Sequence, residues 1–232
     1  MVLIWLVELG PAWGKMINAG QTCIAPDYLF AHHTIKEELL DKIAQNFKEM
    51  YGQDSKESRF CPRIVNQQAM ERLEKYMSQG KIHTGGEIDK EEKFIAPTII
   101  DDVHPDFLVM QEEIFGPILP VMTFDLLDEA IEYINKNGKP LAFYYFGKDK
   151  NAKEVLAKTS SGGACINDTL MHVTNHNLPF GGVGNSGLGK YHGHESFLSF
   201  SNRRAVVTTP TWIDLPMKYV PFKYFNWIKK LI

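Results

Sequence analysis

One cysteine lies where a nucleophile could be exposed and activated. Cys23 ends the segment Asn-Ala-Gly-Gln-Thr-Cys at residues 18–23, which follows a helix-like stretch and precedes a β-branched run. A thiol in a loop between rigid elements can reach solvent, and nearby backbone amides can stabilise its thiolate. Cys165 lies in an apolar run that indicates core packing, and Cys61 has no supporting context. Cys23 is therefore the candidate for covalent catalysis.

A glycine-rich segment offers a second chemistry, the binding of a nucleotide phosphate. Residues 182–187 match GxGxxG, and residues 184–190 match a phosphate-binding loop up to Tyr191, which replaces the magnesium-binding Ser or Thr. A dinucleotide fingerprint leaves a strand and opens a helix. Because polar residues and Pro179 precede this segment, a tight glycine turn is favoured and a nucleotide site is the alternative.

The histidines and cysteines give no metal site or hydrolytic triad with a recognisable spacing. His172 and His176 could share a helix face, but Pro179 and the Asn-rich surroundings favour a loop. Three cysteines without CxxC spacing are too few for a disulfide framework or a zinc site. We therefore expect no metal and a reducing compartment, the cytoplasm.

Strands and helices alternate around these segments. Three segments have the apolar periodicity of a helix: residues 34–51, 69–77 and 125–136. Short β-branched or aromatic runs predict four strands: residues 24–31, 94–100, 141–146 and 164–167. Thr34 and Glu37 can form a capping box at the first helix, and residues 1–7 indicate a further buried strand. Such alternation is typical of an α/β fold with a mainly parallel sheet flanked by helices.

Composition and charge exclude several classes of protein. The 232 residues are 44% hydrophobic and 23% charged with a net charge of −3, which are values of an ordinary globular protein. No basic run exists to neutralise phosphates, so we expect no nucleic-acid partner. The apolar run at residues 1–7 lacks a positive flank and stops at Glu8, so it does not resemble a signal peptide.

The last 25 residues differ in character from the rest of the chain. Prolines interrupt residues 208–232, and aromatic side chains alternate there with lysines, which predicts an extended arm ending in a short amphipathic turn. The favoured interpretation is that this arm packs on its own domain or on a second subunit. Attachment to a membrane surface is the alternative, and we consider a membrane partner the weaker expectation.

Three of these segments, taken in order, resemble the aldehyde dehydrogenase superfamily. They are Gly-Gln-Thr-Cys at residues 20–23, Gln-Glu-Glu-Ile-Phe-Gly-Pro at residues 111–117, and the glycine-rich segment at residues 178–187. Four further stretches resemble the class 3 branch, which acts on fatty or aromatic aldehydes: residues 139–142, 160–163, 191–193 and 200–204. The resemblance extends from about residue 8 to the C-terminus.

The resemblance implies oxidation of an aldehyde to a carboxylic acid with NAD or NADP. The Cys23 thiolate would attack the aldehyde to give a thiohemiacetal, its hydride would pass to the nicotinamide, and water would cleave the resulting thioester. The Cys23 amide would supply one oxyanion donor. Glu113 would bind the nicotinamide ribose, with Phe115 beside the nicotinamide. Asn167 and Phe180 would lie near the substrate pocket, and the arm would support a homodimer.

The chain also departs from the family pattern. The family's general base is the Glu of a Glu-Leu-Gly-Gly-Lys motif, whereas here Glu8-Leu9-Gly10 is followed by proline and lies only 15 residues before Cys23. Glu8 is the candidate base, in what looks like a motif with an internal deletion. The resemblance implies a catalytic domain at residues 1–207, without the family's nucleotide-binding domain, and an arm at residues 208–232.

Three functions remain open at this point. The first is a class 3-like aldehyde dehydrogenase, truncated and therefore weakly active or inactive by itself. The second is a non-catalytic remnant or dimerisation module. The third is a thioester hydrolase that uses Cys23 without a nicotinamide cofactor.

Overall fold

The computed structural model describes residues 4–214, 218–222 and 224–230. The chain divides into two compact units, one ending at Ser199 and one beginning at Phe200. The helices are α1 (Ile4–Met16), α2 (Lys36–Tyr51), α3 (Gln67–Tyr76), α4 (Leu127–Lys136), α5 (Asp149–Lys158), α6 (Met171–Thr174), α7 (Gly193–Ser199) and α8 (Phe225–Ile228). The strands are β1 (Leu29–His32), β2 (Lys81–Thr84), β3 (Ile88–Asp89), β4 (Phe94–Ile95), β5 (Thr98–Asp101), β6 (Ile118–Phe124), β7 (Ala142–Tyr145) and β8 (Gly163–Ile166).

A four-stranded sheet in the order β1-β6-β5-β2 forms the centre of the first unit. Strand β6 pairs in parallel with β1 on one side and with β5 on the other, while β2 pairs antiparallel with β5 at the edge. Strands β7 and β8 form a separate parallel pair, and β3 and β4 form a short antiparallel ribbon. The predicted α/β fold with a mainly parallel sheet flanked by helices is confirmed.

Alternate residues of the central strands enter two different cores. Leu119 and Val121 join the core that contains the apolar face of α2, whereas Ile118 and Met122 join the core that contains α3. This is the two-residue period of a strand whose faces are both covered. The sheet is therefore buried on both sides, and its strand ends are rigid points from which loops can be positioned.

The first of the predicted helices begins later than its sequence pattern indicates. A short 3-10 turn at His33–Ile35 precedes α2, and the His32 ring accepts the Thr34 amide at 3.3 Å. The Thr34 hydroxyl lies 2.8 Å from the same His32 nitrogen, so the expected capping box at Thr34 is wrong. The expected end at Tyr51 is correct, and Gly52 follows with a φ of 84°.

The apolar N-terminal run forms a helix rather than the expected strand. Residues 4–7 open α1, and residues 1–3 lie outside the described residues. A short apolar run fits a buried strand and a buried helix equally well, so periodicity alone cannot separate the two. Further along α1, Ala12 and Met16 are buried in the core shared with α2. The helix leads directly to the candidate nucleophile.

The second unit carries many exposed apolar side chains. Phe200, Val207 and Trp212 are each at least 80% exposed, and the short helix α8 lies near the end of the described residues. None of the helices in the described part of the chain is long and apolar enough to cross a membrane. The predicted boundary at residue 207 stays a prediction.

Candidate active site

Three consecutive residues with left-handed backbone conformations connect α1 to Cys23. Asn18, Ala19 and Gly20 have φ values of 51°, 52° and 71°. Asparagine and glycine adopt this conformation readily, whereas alanine does so only when its surroundings enforce it. The Gln21 amide donates to the Asn18 carbonyl at 3.1 Å, and the Asn18 side chain returns a bond to the Gln21 carbonyl. The loop before Cys23 is therefore tightly wound.

The side chain of Gln21 fixes this loop to the segment before α3. Its Oε1 accepts the Val65 amide at 2.9 Å, and its Nε2 donates to the Arg63 carbonyl at 3.1 Å. Both bonds join residues more than 40 positions apart in sequence. Gln21 therefore holds the loop against a distant part of the chain.

Gly20 brings the cysteine segment against the motif at residues 111–117. A Cβ atom at Gly20 would overlap the carbonyl oxygen of Gly116, and one at Gly116 would overlap the side chain of Leu73 on α3. The close approach of the two backbones therefore requires glycine at position 20, while the Leu73 side chain limits the space at position 116. The sequence segments that contain Cys23 and Glu113 are thus neighbours in the fold.

The residue after the cysteine contacts the third segment of the resemblance. Ile24 is buried and packs in one cluster with Leu170 and Phe180. The Tyr144 hydroxyl donates a 2.6 Å hydrogen bond to the Ile24 carbonyl, which ties the turn to β7. Burial raises the pKa of Tyr144, so this hydroxyl keeps its proton and acts as a donor. All three segments therefore converge on the Cys23 turn.

Cys23 itself is exposed in this rigid turn. The Ala25 amide closes the turn on the Thr22 carbonyl at 2.9 Å, and no described residue accepts a hydrogen bond from the Cys23 amide. Cys61 and Cys165 are buried, and burial raises the pKa of both thiols. The arrangement therefore presents one exposed thiol and, beside it, one backbone amide without an acceptor among the described residues.

Glu113 and Phe115 project from the loop before β6. Both side chains are exposed, and Phe115 has a left-handed φ of 47°. Partial burial and the neighbouring Asp27 raise the pKa of Glu113, while the positive charges of Arg72 and Lys15 oppose that shift. An accessible carboxylate and an accessible ring two residues apart can contact one ligand together.

The backbone at Glu113 is held by two charged side chains. Arg72 on α3 donates to the carbonyls of Glu113 and Ile114 at 2.9 and 2.8 Å. Asp27 Oδ1 accepts the Ile114 amide at 3.0 Å. Sequence reasoning missed Arg72, Asp27 and also Tyr144, because their roles depend on which distant backbone groups they meet.

The two predicted pocket residues differ in their surroundings. Asn167 follows β8 with a left-handed φ of 56°, and its side chain both accepts the Gly147 amide at 2.7 Å and donates to the Gly147 carbonyl at 3.1 Å. Phe180 is buried, stacks on His192 with ring centroids 5.7 Å apart, and contacts the Ile24 cluster. Phe180 therefore borders the cysteine turn, whereas the Asn167 amide is engaged with the loop that follows β7.

Glu8 lies in α1, eight residues before the last residue of that helix. At 1.5 Å per residue, about 12 Å of helix separates it from Met16. Its side chain lies outside the described residues. The role of Glu8 as general base therefore stays a prediction.

The glycine-rich segment forms a tight turn, as the favoured interpretation expects. A 3-10 turn at Gly184–Ser186 is closed by the Ser186 hydroxyl, which accepts the Val183 amide at 2.9 Å. The Lys190 ammonium donates to the carbonyls of Gly162 and Gly181, which ties the segment to the loop before β8. No cluster of potential metal ligands occurs among the described residues.

An apolar groove of about 330 Å³ opens beside the loop that leads to Cys23. Its walls include Trp13, Ile17 and Asn18 from the α1 side, and Tyr51 and Phe60 opposite. Trp13 and Ile17 also pack on the cluster that contains Ile24. The groove therefore borders the elements that hold the thiol.

This chain is similar in sequence to known aldehyde dehydrogenases, as the meeting of the three segments at Cys23 leads us to expect. The model of the aldehyde dehydrogenase family matches residues 10–206. The bovine dimeric NADP-preferring aldehyde dehydrogenase is 46% identical over 200 residues, which are 86% of this chain and 84% of that protein. Rat aldehyde dehydrogenase family 3 member B1 is 50% identical over 218 residues, 93% of this chain and 47% of that protein.

The solved structure of Staphylococcus aureus AldH in a substrate-bound state shares the fold. It is 40% identical with a TM-score of 0.89, and the match covers 100% of this chain and 51% of that one. The chain therefore belongs to the aldehyde dehydrogenase family, with class 3 relatives, as the resemblance implies. It spans about half the length of the rat and Staphylococcus proteins.

Proposed function

We propose that this chain contributes the catalytic thiol of an NAD(P)-dependent aldehyde dehydrogenase. The observation that carries the proposal is the exposed Cys23 on a rigid turn at which the three family segments meet. The names of the relatives support aldehyde oxidation and the use of NADP. The chain spans about half the length of the rat and Staphylococcus proteins, so membership of the family does not by itself give the chain their activity.

Cys23 forms and releases the covalent intermediate. Its thiolate adds to the aldehyde carbon, and the Cys23 amide donates a hydrogen bond to the resulting oxyanion. NAD(P), held by Glu113 and Phe115, would supply the acceptor for the hydride that leaves that carbon. Glu8 then removes a proton from the water that cleaves the thioester, so that the carboxylic acid leaves and the thiol is restored.

The residues around Glu113 fit one end of the cofactor. The exposed carboxylate can accept hydrogen bonds from ribose hydroxyls, and the exposed Phe115 ring can pack beside the nicotinamide. Arg72 and Asp27 fix the backbone from which both side chains project. Chemistry and accessibility therefore suit a cofactor, and the choice between NAD and NADP stays open.

The substrate is an aldehyde with an apolar tail. Phe180 and the groove beside Trp13 and Ile17 place apolar surface next to the cysteine turn. Such surface favours aliphatic or aromatic tails over charged ones because it offers them no counter-charge. Asn167 shapes the pocket through its two bonds to Gly147.

The test is aldehyde-dependent formation of NADH or NADPH by the purified chain. Cys23→Ser should abolish it, Glu8→Gln should slow release of the acid, and Glu113→Gln should raise the KM for the cofactor. Equal rates in wild type and Cys23→Ser would refute the proposal. Hydrolysis of an activated ester that needs Cys23 but no cofactor would instead support the thioester hydrolase.

We also propose that the segment at residues 208–232 supports a homodimer. Its exposed aromatic and aliphatic side chains, Trp212 and Phe222 among them, are costly to leave in water. The bovine relative is named dimeric. The molar mass in solution, measured by light scattering, should be twice that of the chain and should halve when residues 208–232 are removed. A monomer before truncation would refute this proposal, whereas a dimer without activity would favour a dimerisation module.

A further inference from the structure

A lysine with no hydrogen-bond partner is buried beside the candidate cofactor site. Lys15 lies at the end of α1, eight residues before Cys23, and its side chain is fully buried. Its Nζ has no hydrogen-bond partner among the described residues. Burying an ammonium group is unfavourable unless opposite charges compensate it. Opposite charges near Lys15 are therefore needed to stabilise its ammonium group.

Lys15 and three further charged side chains, from four separate segments, act on one another. The charges that act on Lys15 are Asp27, which follows the cysteine turn, and Glu113, which precedes β6. Arg72 on α3 acts on the same two carboxylates. Two positive and two negative charges thus compensate one another, in a group that extends from the buried Lys15 to the exposed Glu113.

Two of these side chains, Arg72 and Asp27, hold the backbone on both sides of Ile114. Arg72 binds the carbonyls on both sides of Ile114, and Asp27 binds the amide of Ile114. Lys15 contributes no direct bond, so its contribution is electrostatic. Burial lowers the pKa of Lys15 to about 8 and raises the pKa of Asp27, and the attraction between the two charges opposes both shifts.

We propose that Lys15 is a positioning residue whose buried ammonium is the counter-charge of Asp27 and Glu113. Through Asp27 it fixes the Ile114 amide, and it thereby sets the orientation of the Glu113 carboxylate. The inference rests on the proposed function for the role of Glu113 in cofactor binding. The charge network itself depends only on the fold.

A double-mutant cycle tests the network without cofactor. Lys15→Met, Asp27→Asn and the double variant are unfolded in urea between pH 4 and pH 7. In Lys15→Met the Asp27 carboxylate loses its counter-charge, so its folded pKa rises further. A raised folded pKa of a carboxyl group means that stability is lost as pH increases through that pKa.

The expected result is a coupling that grows with pH. At pH 7 the effect of Lys15→Met on the unfolding equilibrium constant should be about tenfold or more larger when Asp27 is present than when it is replaced by Asn, and this ratio should shrink towards pH 4. The double variant should therefore recover much of the stability that Lys15→Met loses. A double variant that folds when Lys15→Met alone does not would show the same coupling. If the two substitutions change the unfolding free energy additively, or if their coupling does not depend on pH, the proposed charge network is wrong. Lys153→Met, which changes an exposed lysine on α5, is the matched control.

NADPH binding, followed by its fluorescence, tests the link to Glu113. We expect both Lys15→Met and Glu113→Gln to weaken NADPH binding about tenfold, and Lys153→Met to leave the affinity unchanged. Wild-type affinity in Lys15→Met would overturn the positioning role even if Glu113 is required. If the wild type binds no NADPH, the cofactor part of the proposed function fails, and the unfolding cycle still decides whether the network exists.

Discussion

The Tyr144 hydroxyl donates a 2.6 Å hydrogen bond to the carbonyl of Ile24, the residue directly after Cys23. This bond joins β7 to the candidate nucleophile across 120 positions of sequence. The cysteine turn is therefore held from the strand side as well as by the loop that precedes it. The conformation of the cysteine turn therefore depends on contacts with several distant parts of the first unit.

Replacing Tyr144 with Phe should loosen this turn without changing the core volume. The Ile24 carbonyl loses its partner in a buried region, which typically costs about 1–3 kcal/mol of unfolding free energy. Urea unfolding measures that loss. Tyr145→Phe, one residue along the same strand, is the control for removing a hydroxyl, and an equal effect at both positions would argue against a specific role for Tyr144.

Gly20→Ala should disturb the site much more than Gly52→Ala. Both glycines have positive φ values, 71° and 84°, so alanine is strained at either position. Only at Gly20 would the new Cβ overlap a backbone atom, the Gly116 oxygen, whereas nothing lies within 4 Å at Gly52. We expect Gly20→Ala to cost at least about 1 kcal/mol more in unfolding free energy, because neither backbone can yield easily.

If the two alanine variants unfold at the same urea concentration, the contact between the two segments at Gly20 and Gly116 does not carry the stability assigned to it. Thermal unfolding of both variants gives an independent check. Both variants place alanine at a positive φ, and the steric overlap is the feature that Gly20 has and Gly52 lacks.

Cys23 should be the first cysteine to react with iodoacetamide in the native protein. Cys61 and Cys165 are buried and burial raises the pKa of their thiols, which lowers the fraction of reactive thiolate. Peptide mass spectrometry should find Cys23 alkylated at least about tenfold faster than either of the others. Cys23→Ser should leave only the slow reactions, and comparable rates at all three thiols would contradict the exposure of the turn.

Much of this fold could be predicted from the sequence, because most elements have one apolar face. The helices α2, α3 and α4 and the strands β7 and β8 coincide with their predicted segments to within a few residues. Strand β6 was missed. It is buried on both faces and therefore lacks alternation, and it contains Pro120, which usually argues against a central strand.

The site could be predicted only in part. Cys23 has a local signal, because a cysteine in a glycine-bounded loop before a strand is expected to be exposed independently of the tertiary structure. Lys15 has a much weaker signal, because a lysine in a helix is normally exposed and it is the tertiary structure that buries it. The apolar residues around it, Ala12 and Met16, are the signal that could have identified its burial.

The burial of Lys15 also predicts how stability depends on alkaline pH. Its folded pKa is lowered to about 8 from 10.5, so between these values the unfolded chain binds one more proton than the folded one. The free energy of unfolding should therefore rise with pH across this window, by roughly 3 kcal/mol from this group alone.

Tyrosines and other lysines titrate in the same pH range. The quantity to measure is therefore the difference in unfolding free energy between wild type and Lys15→Met. That difference should change by about this amount between pH 8 and 10.5, while the difference between wild type and Lys153→Met should stay constant. A flat difference for Lys15→Met would show that the Lys15 ammonium keeps its ordinary pKa and that burial does not lower it.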